Sequence, residues 1–169
     1  MIRGLDPVVD PSTRTLIIGP FPNAASLAAG AYYAHPRDRF WRVMASALSH
    51  PGLLDLPYEH RLASLARNNI GLWDLHAQID ERSARSYCAA VPNQLLAFVA
   101  DYGKINRIVE NGQRAAIDSA TYHRLGRMGI KVFSVPSTSG ANTLWSLDGL
   151  VRRWRYALGL ADDDWIPSE

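Results

Sequence analysis

The sequence predicts an α/β fold, a three-layer α/β/α sandwich around a mainly parallel four-stranded sheet. Four short apolar runs, Thr15 to Ile18, Ile70 to Trp73, Ile105 to Glu110 and Val132 to Val135, have the length of buried strands. Helical patterns lie between them and after the last one, the alternation expected of parallel strands joined by crossover helices. No internal repeat, low-complexity tract or linker divides the chain, so residues 1–169 are expected to form one domain.

The elements follow in order. Leu5 to Thr13 is punctuated by Pro7 and Pro11 and is expected as an extended lead-in. Thr15-Leu16-Ile17-Ile18 reads as the first strand, ending at Gly19, and two prolines stiffen the loop Gly19-Pro20-Phe21-Pro22-Asn23. Ala24 to Ala31 is small and weakly helical. Phe40, Trp41, Val43, Met44, Ala47 and Leu48 recur at helical spacing, and the pattern stops near Ser49-His50-Pro51-Gly52. A second helix fits His60 to Arg67. Ile70 to Asp74 is the next strand, Ile79 to Ser86 an expected loop, and Pro92 opens a helix that runs to Tyr102-Gly103. The third strand runs into Asn111-Gly112, and Gln113 to Leu125 is helical in pattern. The fourth strand runs into Pro136-Ser137-Thr138-Ser139-Gly140-Ala141-Asn142. A last helix carries Leu144, Trp145, Leu147, Leu150, Val151 and Trp154 on one face.

Composition narrows the function classes. A 47% apolar, 20% charged chain is ordinary for a soluble globular protein. Cys88 is the single cysteine, which excludes an intrachain disulfide, a four-cysteine zinc site and a cysteine-ligated iron–sulfur cluster within one chain. A cytoplasmic setting is expected. No apolar run approaches the roughly 20 residues that span a bilayer, and the N-terminus lacks a signal-peptide core, so no membrane partner is expected. Net charge is +2, but Lys104 and Lys131 are the only lysines, and arginine's planar fork suits phosphate. An acidic cluster, Asp162-Asp163-Asp164, leaves the body more basic than the total and is expected as a solvated tail.

In a parallel α/β sheet, ligands bind beyond the carboxyl ends of the strands. The loops at Gly19, Asn111 and Pro136 all follow predicted strands and should converge on one cleft. Tyr32-Tyr33-Ala34-His35-Pro36-Arg37-Asp38-Arg39-Phe40-Trp41 continues the first loop and is the densest aromatic and charged stretch in the chain. A glycine-rich dinucleotide fingerprint, a phosphate-loop lysine and a Gly-x-Ser-x-Gly elbow are all missing. His35 and Asp38 find no second cluster of ligands, so neither metal nor cofactor is expected. Aromatic walls with amide and hydroxyl groups suit a flat heterocycle, which stacks on a ring while its edge is hydrogen-bonded. Ser137-Thr138-Ser139-Gly140 opens a helix and suits a phosphate.

Gly19-Pro20-Phe21-Pro22, the Tyr32 to Trp41 stretch, Leu72-Trp73-Asp74, Asn111-Gly112 and Pro136-Ser137-Thr138-Ser139 together resemble the uracil-DNA glycosylase superfamily. The blocks occur in matching order over nearly the whole chain, and the nearest branch is that of the hypoxanthine-DNA glycosylases. The resemblance implies a cofactor-free enzyme that flips a deaminated base from DNA and hydrolyses its N-glycosidic bond. Two departures stand out. Mismatch-specific relatives place a catalytic asparagine where this chain has Phe21. The hypoxanthine branch carries a functionally important asparagine where this chain has Asp38.

The resemblance makes Asp38 the expected catalytic residue. A carboxylate accepts hydrogen bonds only, so it can polarise a water or stabilise an oxocarbenium-like sugar but cannot donate to a base carbonyl. Asp38 also stands at a helix start, where capping is the competing reading. Tyr33 is the expected stacking wall and Phe21 a second one; Asn111 is expected to read the base edge or stabilise the departing anion, or else to form a turn with Gly112. Arg37, Arg39, Ser137, Thr138, Ser139 and Gly140 are the expected DNA contacts, with the Gly140-Ala141 turn against the duplex. No lysine falls in the matched motifs, so no Schiff-base lyase step is expected. The expected partner is DNA carrying uracil or hypoxanthine, met by a monomer acting at the nucleoid. Two rivals stay open: a damaged-base or abasic-site binding module without turnover, and a hydrolase or binder of free nucleosides.

Overall fold

The structure, a computed structural model, describes residues 1–80 and 89–160. Part of the expected Ile79 to Ser86 loop, Cys88 and the acidic cluster Asp162-Asp163-Asp164 lie outside the described residues.

In chain order the elements are β1 (Ile2–Arg3), β2 (Thr15–Gly19), α1 (Ala24–Ala29), α2 (Phe40–Ala47), α3 (Tyr58–Arg67), β3 (Ile70–Asp74), β4 (His76–Ile79), β5 (Val91–Pro92), α4 (Leu95–Asp101), β6 (Arg107–Asn111), α5 (Ser119–Arg127), β7 (Lys131–Val135) and α6 (Leu147–Leu158). Short 3-10 turns cover Pro51–Asp55 and Gln113–Ala115. The main sheet has the order β3-β2-β6-β7 and every pairing in it is parallel. β2 and β6 occupy its centre, so Leu16-Ile17-Ile18 and Ile108-Val109 are covered on both faces and run apolar instead of alternating.

Alternate residues divide the core in two. Ile17, Leu72 and Val109 face a cluster with Phe40, Trp41, Met44, Leu150 and Trp154, supplied by α2 and α6. Leu16, Ile18 and Ile108 face a cluster with Leu95, Val99 and Leu125, supplied by α4 and α5. These are the two outer layers of the sandwich. Edge-on packing of Phe40 against Trp154, with centroids 5.8 Å apart, joins α2 to α6.

Several elements depart from the periodicity reading. β1, β4 and β5 form a small antiparallel sheet in the order β1-β4-β5. Two-residue strands such as Ile2–Arg3 and Val91–Pro92 leave no alternation to read, and Pro92 pairs opposite His76 instead of opening a helix. The lead-in docks on the sheet edge through reciprocal Val8–Leu72 backbone hydrogen bonds of 2.9 and 2.8 Å. The expected helix from Gln113 breaks into a 3-10 turn and α5, because the Glu110 carboxylate takes the Ile117 N–H at 2.7 Å while Asp118 caps α5 through the Thr121 N–H. The last helix begins at Leu147, capped by the Ser146 hydroxyl, which leaves Leu144 and Trp145 in the preceding loop.

Candidate active site

The carboxyl ends of β2, β3, β6 and β7 place Gly19, Asp74, Asn111 and Val135 side by side. In sequence order β3 is laid on one side of β2 and β6 on the other, so the chain switches direction beside β2. That crevice is where an open α/β sheet receives its ligand. The loop before α2 and the loop before α6 close over this end of the sheet.

Thr138 is fully buried and ties three elements together. Its backbone N–H donates to Asn111 Oδ1 at 3.0 Å, and its hydroxyl accepts from Asn111 Nδ2 at 3.0 Å. The hydroxyl proton is thereby directed onward, to Asp38 Oδ1 at 2.8 Å. Its carbonyl accepts the Arg39 N–H at 2.9 Å. Asp38 Oδ1 also accepts the Phe40 N–H at 2.9 Å, so the carboxylate caps the start of α2 as well. Both contacts fall on Oδ1, and the partly exposed residue keeps Oδ2 for another donor.

Tyr33 stacks on Phe40 with ring centroids 3.7 Å apart and planes 14° apart. Its backbone is left-handed, φ 57, an uncommon conformation for a bulky residue and one that turns the ring back over the sheet end. The hydroxyl bonds the Asn111 side chain, and burial beside Asp74 pushes it far above the usual tyrosine range, so Tyr33 is a neutral phenol. Asp74 is 5% exposed with Oδ2 unpartnered, and burial raises its carboxyl to about 7. Gly19 makes room for it: a Cβ at residue 19 would stand 2.5 Å from Asp74 Oδ1 and 3.8 Å from the Tyr33 hydroxyl oxygen.

The structure brings Asp38, Asn111, Thr138 and Tyr33 together and sets the other expected residues around them. Phe21 is buried, its ring edge 3.2 Å from where a Gly4 Cβ would lie. Asn111 is 6% exposed and both ends of its amide engage Thr138. Arg37 is exposed, and its backbone carbonyl packs so closely under Gly140 that a Cβ there would approach it to 2.5 Å. Arg39 turns inward, donating to the carbonyls of Trp145 and Asn142 at 2.6 Å each. Ser137 and Ser139 bond inside their own loop, Ser137 Oγ accepting from Ser139 N and Ser139 Oγ from Ala141 N.

One feature escapes the sequence reading, and a second is visible in the sequence without a role. Leu144 is 91% exposed, an apolar side chain projecting from the loop that follows Thr138. Its periodicity with the last helix conceals this, though Ser146 as a helix cap could have placed it outside. Asp74 stands as a lone acid closing an apolar strand, a visible oddity without an evident partner. Among the described residues no group of three or more His, Cys, Asp or Glu could hold a metal ion, and no helix is long and apolar enough to cross a membrane.

The family model of the uracil DNA glycosylase superfamily matches residues 7–158. A hypoxanthine DNA glycosylase from Methanosarcina acetivorans is 35% identical over 147 residues, 85% of this chain and 90% of that protein. Another from Methanosarcina barkeri is 41% identical over 73 residues, a match spanning 46% of that protein. Among solved structures, the solution NMR structure of a candidate uracil DNA glycosylase from M. acetivorans superposes with a TM-score of 0.77 at 30% identity. That superposition covers 92% of this chain and 95% of the other.

Proposed function

The chain belongs to the uracil DNA glycosylase superfamily, and from that premise we propose that it is a monofunctional DNA glycosylase acting on a deaminated base, hypoxanthine or uracil, to initiate base excision repair. The observation that carries this reading is the carboxylate of Asp38, held by Thr138 and the Phe40 N–H beside a stacking aromatic at the strand ends. The two curated relatives bear the name hypoxanthine DNA glycosylase, which favours hypoxanthine as the first substrate to try.

In this reading the damaged base leaves the duplex and stacks against the Tyr33 ring, whose other face is backed by Phe40. Leu144 enters the duplex and fills the vacated place. Asp38 uses Oδ2 to orient a water toward the sugar carbon and stabilises positive charge developing on the sugar. The N-glycosidic electron pair leaves with the base as an anion, the water oxygen forms the new C–O bond while its proton passes to Asp38 Oδ2, and the departed base takes up a proton from solvent. Asn111 acts through Thr138, keeping its hydroxyl aimed at Asp38. Exposed Arg37 and Gly140, with half-buried Ser137 and Ser139, meet the backbone phosphates; Thr138, expected from the sequence as a DNA contact, is fully buried and serves the relay to Asp38 instead.

Oligonucleotides carrying hypoxanthine or uracil, single- and double-stranded, test this with wild type, Asp38→Asn and Asp38→Ala. Base release by the wild type that falls by on the order of 10²-fold or more in both variants is expected, the scale of a lost acid–base group. Tight binding of damaged DNA without release would instead assign a binding module, and release from free nucleosides alone a nucleoside hydrolase. Full release by Asp38→Ala would leave Asp38 with its capping role alone.

A further inference from the structure

Arg39 follows the proposed catalytic aspartate and is an obvious phosphate ligand by sequence, yet its guanidinium is spent inside the protein. Nη1 donates to the Trp145 carbonyl and Nη2 to the Asn142 carbonyl, each at 2.6 Å. Nε is shut off from solvent as well. No carboxylate lies within salt-bridge distance among the described residues, so two peptide dipoles offset its charge. The two carbonyls bracket Thr143 and Leu144, both exposed. The guanidinium thus grips the two stems of a projection whose tip is a leucine 91% exposed.

Other contacts make the gripped loop one body with the catalytic loop. The Arg39 N–H bonds Thr138 O at 2.9 Å, and Asn142 Nδ2 bonds Ser137 O at 2.9 Å. Gly140 sits on the Arg37 backbone with no space for a side chain. A half-buried arginine bridging two carbonyls three residues apart uses its fork geometry, which a lysine's single ammonium cannot reproduce.

We propose that Arg39 is a positioning residue that holds the 142–145 loop so that Leu144 stands out from the surface and enters DNA, instead of being a phosphate contact. The proposal rests on the glycosylase reading for its functional half only; the anchoring of the loop stands on this chain alone. Its consequence is mechanical coupling: Asp38 and Leu144 are carried on one rigid unit, so the leucine's entry and the carboxylate's placement at the sugar occur together.

The test uses the full chain as wild type, Arg39→Gln, Arg39→Lys, Leu144→Ala and the double variant Arg39→Gln/Leu144→Ala. Hydrogen exchange on free protein should show amides of the 142–145 loop exchanging at least about tenfold faster in Arg39→Gln, with α2 unchanged. Arg39→Lys, which keeps charge and stem, should restore less than half of that protection. On duplexes carrying 2-aminopurine beside hypoxanthine or uracil, the flipping signal should slow about tenfold in Arg39→Gln, and no further when Arg39→Gln is added to Leu144→Ala. The dependence of DNA affinity on salt should keep its wild-type slope. A slope shallower by about 0.9, the signature of one lost phosphate contact, would overturn the proposal. So would additive effects in the double variant, or unchanged exchange in the loop. If wild type shows neither flipping nor base release, the glycosylase reading fails separately, and exchange in the free protein still decides the anchor.

Discussion

The Thr138 hydroxyl donates to Asp38 Oδ1 at 2.8 Å, joining residues 100 positions apart in sequence. It can do so because Asn111 Nδ2 occupies the hydroxyl's acceptor side at 3.0 Å and leaves its proton one direction to take. The relay from β6 through the loop before α6 to the loop before α2 sets the carboxylate's orientation.

Thr138→Val removes the donor while keeping the shape. It takes from one buried Asn111 amide proton its Thr138 acceptor, a loss of about 1–3 kcal/mol, and frees Asp38 to rotate. Thermal melts should show the destabilisation, and single-turnover base release should fall at least tenfold. Thr138→Ser should recover most of both, since a hydroxyl is what the relay needs.

Asp74 makes stability depend on pH in a direction opposite to that of most carboxylates. Its folded-state value of about 7 lies above the ordinary 3.8, so the folded protein holds its proton more tightly than the unfolded chain does. Its contribution is therefore most favourable at low pH, declines as pH rises from about 4 to about 7, and is flat above. Asp74→Asn, a neutral isostere, should match wild type near pH 4 and exceed it at pH 8 by up to about 4 kcal/mol, at roughly 1.4 kcal/mol per pKa unit. Denaturant unfolding of both proteins across this range checks it, and a pH-independent difference would refute it.

Arg37 is exposed beside the Ser137 to Gly140 loop, whereas its neighbour Arg39 is turned inward. Arg37→Ala should weaken binding to damaged and undamaged duplexes alike. It should also flatten the plot of log affinity against log salt by about 0.9, the value of one phosphate contact. Equal slopes in variant and wild type would remove Arg37 from the DNA interface.

Gly140→Ala places a methyl 2.5 Å from the Arg37 carbonyl oxygen and 2.7 Å from its Cβ. Backbone cannot yield as a side-chain tip can, so the two loops must separate. We expect a lowered melting temperature and a loss of base release larger than the loss of DNA affinity. Gly126→Ala, at a glycine with nothing within 4 Å, is the control and should leave both unchanged.

The sequence alone determined the four parallel strands and the helices that cover them. Leu16-Ile17-Ile18 and Ile108-Val109 are buried whichever face they meet, so composition over a short run suffices to place them. It also determined that the loops at Gly19, Asn111 and Pro136 converge, since in a parallel sheet every strand's carboxyl end points the same way. Only the tertiary structure decided what each side chain does once there. Arg37 and Arg39 are the same residue type two positions apart, yet one is solvated and the other grips the carbonyls of Asn142 and Trp145. Asn111 is polar at a strand end, but its partner is 27 residues onward in another loop. Leu144 shares the period of α6 and lies outside it, because the Ser146 cap starts the helix later than the apolar pattern does. Periodicity reports whether a backbone segment has an apolar face. The partner of a polar group is set by distances between loops, which the chain acquires only when the sheet is assembled.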